Sequence, residues 1–223
     1  YSFIFISPKS DDGVYHYASL SVLFNGFPSI NFNKETIPIF FIFPTYPFIN
    51  GLFLNFINNI GFSINEYNYK IVVLFFSILN IFLIRYIFFK MLYKNIYCNL
   101  IVSFFLISLS VTPFANNFYI NRPQAIGLFI IFLIYLLSYN IELNKINKFN
   151  YYIIGFLLGF LLILHPIFSI ISSFICFHLL IKYLNKINLK NIFRSILIFI
   201  ITIIPFFYWI FINQEHFVDQ LFN

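Results

Sequence analysis

The chain has 223 residues, of which 61% are hydrophobic and 9% charged, with a formal net charge of +6 and a mean hydropathy of +0.90. Soluble domains carry about 25% charged residues, so this composition excludes a water-soluble globule. The cations stand in short loops between apolar runs, where they set topology, so the positive balance implies no nucleic-acid partner.

The apolar runs are continuous, as over 192–212, and do not alternate with a period of two. That pattern predicts membrane helices and not a β-barrel. The expected fold class is all-α: a polytopic transmembrane helix bundle whose external first loop carries short interfacial helices. Residues 1–223 read as one transmembrane domain. Residues 1–6 are apolar but too short to span, and are expected to be the end of a first span, making the chain a fragment.

Residues 7–69 read as the external loop. It carries Lys9, Asp11, Asp12, Lys34 and Glu35, with Gly26-Phe27-Pro28 as a turn and 15–24 as a short helix. An apolar stretch over 44–62 looks like a span. However, Asn55, Asn58 and Asn59 fall at i, i+3, i+4, opposite Phe53, Phe56, Ile57 and Ile60. A polar stripe suits a helix lying in the interface; the alternative is an Asn face buried in a bundle.

Further runs follow at 70–89, 97–113, 124–139, 151–164, 167–184 and 192–212, about six spans over 70–213. His165-Pro166 is expected to turn the chain between two of them. Cys98 and Cys176 lie inside apolar runs and read as inert thiols. No repeat with a period of 20–50 residues, no phosphate loop and no Cys/His metal cluster is visible.

Lys182, Lys186, Lys190 and Arg194 mark the strongest cytoplasmic end. Counting back puts Lys145, Lys148, Lys90 and Lys94 on that side too, with residues 116–122 and His165 outside. If 44–62 lies in the interface, Asp11 and Asp12 also face outward.

Asp11 and Asp12 are the one pair of adjacent carboxylates among seven acidic residues. Such a pair can act as a general base toward an acceptor hydroxyl or amine, or help hold a divalent cation, Mg or Mn. It can equally open a helix, with Ser10 or Asp11 as the cap. Arg122, at the mouth of a run, can grip a phosphate by paired hydrogen bonds or snorkel as an anchor. His165 can contact the same phosphate or simply end a helix. Tyr15 and His16 beside the acidic pair can meet a sugar, although aromatic rings are common at interfaces anyway.

Asp11-Asp12-Gly13-Val14-Tyr15-His16-Tyr17-Ala18 resembles the start of the first external loop of the GT-C glycosyltransferases, a superfamily including protein mannosyltransferases, aminoarabinose transferases and oligosaccharyltransferase subunits. Its pattern there is acidic–acidic followed by aromatics. A second register sets Asp12 over the leading Asp, so either aspartate matches. Thr45-Tyr46-Pro47-Phe48 is similar to the proline-bearing segment before a juxtamembrane helix. Ser110 to Phe114 followed by Arg122 is similar to the second external loop, and 155–166 to a small-residue helix ending in a polar residue and Pro. The chain departs from the family in having one Pro where two are usual. Its second external loop offers Asn116, Asn117, Asn121 and Gln124 in place of an acid.

The resemblance implies a multi-pass enzyme of the plasma membrane in a prokaryote or the endoplasmic reticulum in a eukaryote. It would transfer a sugar from a polyprenyl-phosphate donor to an acceptor on the outer or lumenal face. Asp11 and Asp12 would be catalytic, with metal as an option; Tyr15, His16, Arg122 and His165 would bind substrate. The rival readings are a multi-pass transporter or flippase of lipid-linked substrates, for which inverted repeats are expected, and a non-catalytic membrane protein.

Overall fold

Long apolar runs without interior breakers form helices because, away from water, each backbone group must find its partner within its own segment. The computed structural model describes residues 11–32, 35–40, 42–64, 71–91, 100, 123–142, 148–183 and 189–222. Along these the elements are α1 (Asp11–Asn25), β1 (Ser29–Phe32), β2 (Glu35–Pro38), α2 (Thr45–Asn59), α3 (Ile71–Met91), α4 (Gln124–Glu142), α5 (Lys148–Leu164), α6 (Pro166–Tyr183), α7 (Leu189–Ile212) and α8 (Gln214–Phe222). The helical class is as expected, and each run from 70 onward coincides with a helix, except 97–113, of which only residue 100 is described. The small antiparallel hairpin β1–β2 was not foreseen.

Among the described residues one helix, Lys190–Ile212, is long and apolar enough to cross a membrane. The apolar helices Ile71–Ile87, Gln124–Ser138, Phe149–Leu164 and Pro166–Ile181 are shorter.

The bundle is built on α5. Gly155 faces the Ser195 carbonyl so closely that no Cβ would fit, and a Cβ on Gly159 would lie 2.9 Å from Thr202 Cβ and 3.0 Å from the Phe199 carbonyl oxygen. These contacts rise together in number, so α5 and α7 run parallel with their backbones in near contact. Small residues permit such an approach, and the close packing it allows holds the two helices together. The Ser195 hydroxyl donates to the Tyr151 carbonyl across the seam. On another side of α5, Ser172 Oγ of α6 donates to the Leu158 carbonyl at 2.9 Å. Leu158, Leu161 and Leu164 form the centre of the core with Ile126, Ile130 and Ile134 of α4.

Gly127 of α4 abuts the ring of Phe168, so α4 starts beside the α5–α6 turn. Buried Asn80, mid-way along α3, donates to the Ala125 carbonyl at 2.8 Å, and Phe76 meets Phe129 with ring centroids 5.4 Å apart. Rising numbers in α3 meet falling numbers in α4, so the two are antiparallel. The Met91 end of α3 therefore points toward the His165 end of the bundle, not toward Lys148 as the loop-charge count expected. That count treats each run as one alternating crossing; the packing is decided instead by an Asn that cannot be buried without a hydrogen-bond partner.

The described residues of the stretch 11–64 fold into a cap. α1 ends at Gly26, whose φ of 77° suits a residue without Cβ, and the Gly26 N–H donates to the Val22 carbonyl at 3.0 Å. Ser21 Oγ accepts the Ser29 N–H at 2.7 Å, fastening the first strand to α1. The cap rests on the end of the bundle where α7 finishes. Trp209 lies 5.5 Å from Phe27 and 6.4 Å from Phe40 by ring centroid, and Phe43 lies 5.1 Å from Phe206. Gln220 of α8 then closes the arrangement: its Oε1 accepts the Phe40 N–H and its Nε2 donates to the Pro38 carbonyl, each at 2.6 Å.

A side-chain amide that satisfies both groups of a peptide edge acts as a substitute strand. Gln220→Ala is expected to release it at a cost of about 1–3 kcal/mol. Hydrogen exchange should show the Phe40 amide exchanging faster while amides within α5 are unchanged; an unchanged Phe40 would remove this role from Gln220.

Candidate functional site

Asp11 and Asp12 are the first two residues of α1; their side chains lie outside the described set. Arg122 also lies outside it, two residues before α4 begins. The helix expected over 15–24 therefore starts earlier, at the acidic pair itself. Carboxylates in a first helical turn are favoured by the helix dipole, so position alone accounts for acids here.

One turn on, Tyr15 is 3% exposed and packs edge-on to Tyr46 of α2, ring centroids 5.5 Å apart. Its expected contact with a sugar gives way to a packing role, because α1 and α2 lie too close to leave that face open. A Cβ on Gly51 would come within 2.5 Å of Val22 Cβ and 2.6 Å of the Ser19 carbonyl oxygen. Ser19 Oγ donates to the Tyr15 carbonyl at 2.7 Å and accepts from Asn50 Nδ2 at 3.3 Å, a polar thread inside the seam. His16, next along, is half-buried.

α2 spans 15 residues, about 22 Å at the helical rise, which is short of a crossing. Asn55, Asn58 and Asn59 all face outward, as the stripe predicted. The packed face is different from the expected one. Tyr46, Asn50, Gly51, Leu54 and Ile57 are buried, whereas Phe56 is 61% exposed and Ile60 54%. α2 thus exposes rings beside its Asn stripe, as an interfacial helix would.

His165 occupies the turn between α5 and α6, as expected. Its carbonyl accepts the N–H of Phe168 at 2.9 Å and of Ser169 at 3.1 Å, and its Nδ1 accepts the Ile167 N–H at 3.2 Å. These are the bonds of an N-cap. The ring also stands edge-on to Phe168. His165 shares the capped end of the bundle with the start of α4.

A groove of about 460 Å³ runs along α5 between α6 and α7, lined by Leu158, Leu162, Cys176, Leu180, Ile196 and Phe199 among others. Serines at its wall donate their hydroxyls to carbonyls: Ser138 to Ile134, Ser172 to Leu158, Ser173 to Ser169. With these donors already satisfied, the surface offered is hydrocarbon. Cys176 is a free, half-buried thiol on this wall.

Among the described residues no three His, Cys, Asp or Glu side chains gather as metal ligands. Trp209 and Gln220, which hold the cap, carried no functional signal in the sequence. An aromatic residue near the end of an apolar run is expected at any interface, and Gln220 meets its partners across about 180 positions of chain. Comparison of the chain with family models, with curated proteins and with solved structures gives no match.

Proposed function

We propose that the chain is part of a multi-pass membrane glycosyltransferase that takes a sugar from a polyprenyl-phosphate donor at the capped end of the bundle. The observation that carries this reading is the position of the acidic pair. The segment that opens on Asp11-Asp12 is folded into α1, a hairpin and α2, and this cap rests on the same end as the His165 turn. An ordered, polar-edged cap on an apolar bundle is what a reaction between a lipid-borne donor and an aqueous acceptor requires. The hydrocarbon groove along α5 suits an isoprenoid chain.

In the proposed step, the carboxylate of Asp11 or Asp12 takes the proton of the acceptor hydroxyl or amine. The acceptor's electron pair forms the new bond to the sugar C1 as the bond from C1 to the phosphate oxygen breaks, inverting C1. The departing oxygen keeps the bonding pair, and Arg122 with His165 balances the growing charge. A divalent cation at the aspartates would lend the phosphate further neutralisation. The cytoplasm is assigned to the basic end and the plasma membrane or endoplasmic reticulum to the host bilayer by the same proposal.

The test is transfer by the full-length protein from a synthetic polyprenyl-phosphate sugar in detergent, read as release of polyprenyl phosphate. Absence of release with every common donor sugar would sink the reading. His165 separates structure from chemistry. His165→Ala is expected to lose both the cap, about 1 kcal/mol, and transfer. His165→Asn keeps an acceptor for the Ile167 N–H, so it is expected to keep stability and still lose transfer. Full transfer by His165→Asn would leave His165 as a cap alone.

A further inference from the structure

α6 and α7 both pack on α5, and the groove between them is left open. Its floor runs from Tyr151 to Leu162 of α5, about 16 Å at the helical rise. Its walls run from Ser172 to Leu180 on α6 and from Ile192 to Phe199 on α7. The hydroxyls along it are already engaged. Those of Ser138, Ser172, Ser173 and Ser195 donate to backbone carbonyls, and that of Tyr151 is hydrogen-bonded to Asn191. The rim is hydrocarbon as well: Phe177 is 65% exposed, Ile196 43% and Leu180 39%. The groove therefore opens sideways onto an apolar surface and presents little to a polar ligand.

α7 gives the depth of this groove. Lys190–Ile212 is the one described helix long and apolar enough to cross a membrane. Its length of about 33 Å matches a hydrocarbon core of about 30 Å, so its midpoint, Ile201, marks the bilayer midplane. The wall from Ile192 to Phe199 lies wholly on the basic side of that point. One leaflet is about 15 Å of hydrocarbon deep, close to the length of the floor. Volume then decides what kind of chain fits. A helix 10 Å across and as long as the floor occupies about 1,300 Å³, nearly three times the space present. A single polymethylene chain about 4–5 Å wide and of that length occupies about 250–400 Å³. The groove measures about 460 Å³.

We infer that the groove is a site for one acyl chain of a phospholipid of the leaflet at the basic end. The chain lies along α5 from the level of Tyr151 toward Leu162, between α6 and α7. Its headgroup stays outside the groove, so the site selects a chain and not a charge. What holds the chain is contact on three sides, where bulk lipid offers only mobile neighbours. A donor whose phosphate stands at the capped end brings its isoprenoid chain from the other leaflet and competes for the same space. Depth favours the acyl chain as the resident and makes the isoprenoid chain the incoming rival. The inference rests on the membrane-spanning part of the function proposed above and not on glycosyl transfer. Its test contains no transfer step, so the two fail separately.

The experiment is native mass spectrometry of the full-length protein, loaded in turn with dioleoyl phosphatidylcholine, dioleoyl phosphatidylglycerol, oleoyl lysophosphatidylcholine and a polyprenyl phosphate, then washed in detergent. The wild type is expected to keep one phospholipid, the neutral and the anionic one alike, and the single-chain lysolipid as well. Cys176→Phe and Ile196→Phe each put a ring into the groove from opposite walls, and each should lose the retained lipid. Phe174→Leu, on α6 but outside the groove, should keep it. Thermal unfolding no lower than that of the wild type checks that the filled variants fold. A wild type that keeps no lipid overturns the inference, as does a retained lipid that survives both filling substitutions. Retention of phosphatidylglycerol alone would mean that the headgroup sets the site, and retention of polyprenyl phosphate alone would give the groove to the donor; either overturns it.

Discussion

Replacing Asp11 and Asp12 together with Asn is expected to slow sugar transfer by about 10²–10⁴-fold, the usual contribution of a positioned general base. Asn has nearly the shape of Asp and serves as a helix cap about as well, so the start of α1 survives the change. What it lacks is a lone pair basic enough to take the acceptor's proton. The loss of two carboxylates from a first helical turn costs about 0.3–1 kcal/mol each through the helix dipole. The distinguishing result is therefore a large fall in turnover with thermal unfolding moved only slightly. The single variants identify which aspartate does the work, since both registers of the sequence pattern remain open. If both singles and the double transfer at the wild-type rate, the acidic pair is a helix start and nothing more, and the chemistry must be sought elsewhere.

The second large effect is structural. Gly155→Val is expected to destabilise the bundle by about 3 kcal/mol or more, because the side chain would have to enter the space of the Ser195 carbonyl, which is backbone and cannot rotate away. In a domain of this size that corresponds to a fall of roughly 6–12 °C in Tm. The seam carries the whole of α7, so the groove along α5 and the support under the cap would be lost with it. Gly61→Ala is the control. Gly61 has open space around it and a φ of 87°, so the substitution costs only the left-handed backbone, about 1–2 kcal/mol. A Gly155→Val protein with wild-type Tm would mean that α5 and α7 are not packed at this glycine.

How much of the molecule was legible beforehand differs from element to element. α7 was legible because its signal is summed over more than twenty residues; no local choice in Leu189–Ile212 contradicts a helix except Pro205, which sits in a helix that still continues. The turn at His165 was legible because Pro166 cannot continue the preceding helix. The outward Asn stripe of α2 was legible from spacing alone. Its packed face was not: Asn50 is fully buried, where Ser19 Oγ of α1 accepts from it. The hairpin escaped notice because four-residue strands leave almost no periodic signal, and Ser29–Phe32 is ordered by Ser21 and Asn25 of α1 as much as by its own sequence.

Composition and run length by themselves determined that the chain is helical, apolar and divided at Gly26, Pro44 and His165, since those features follow from local backbone preference and from the cost of an unpaired peptide group in an apolar medium. The sequence also placed Asp11-Asp12 at the opening of a helix. Only tertiary structure decided which glycines are contact points, why Tyr15 is a core residue and not a surface one, that α3 runs against α4, and that Gln220 and Trp209 hold a cap they are far from in the chain. Each of these depends on what lies opposite a residue after folding. A residue's own type and its near neighbours carry no record of that.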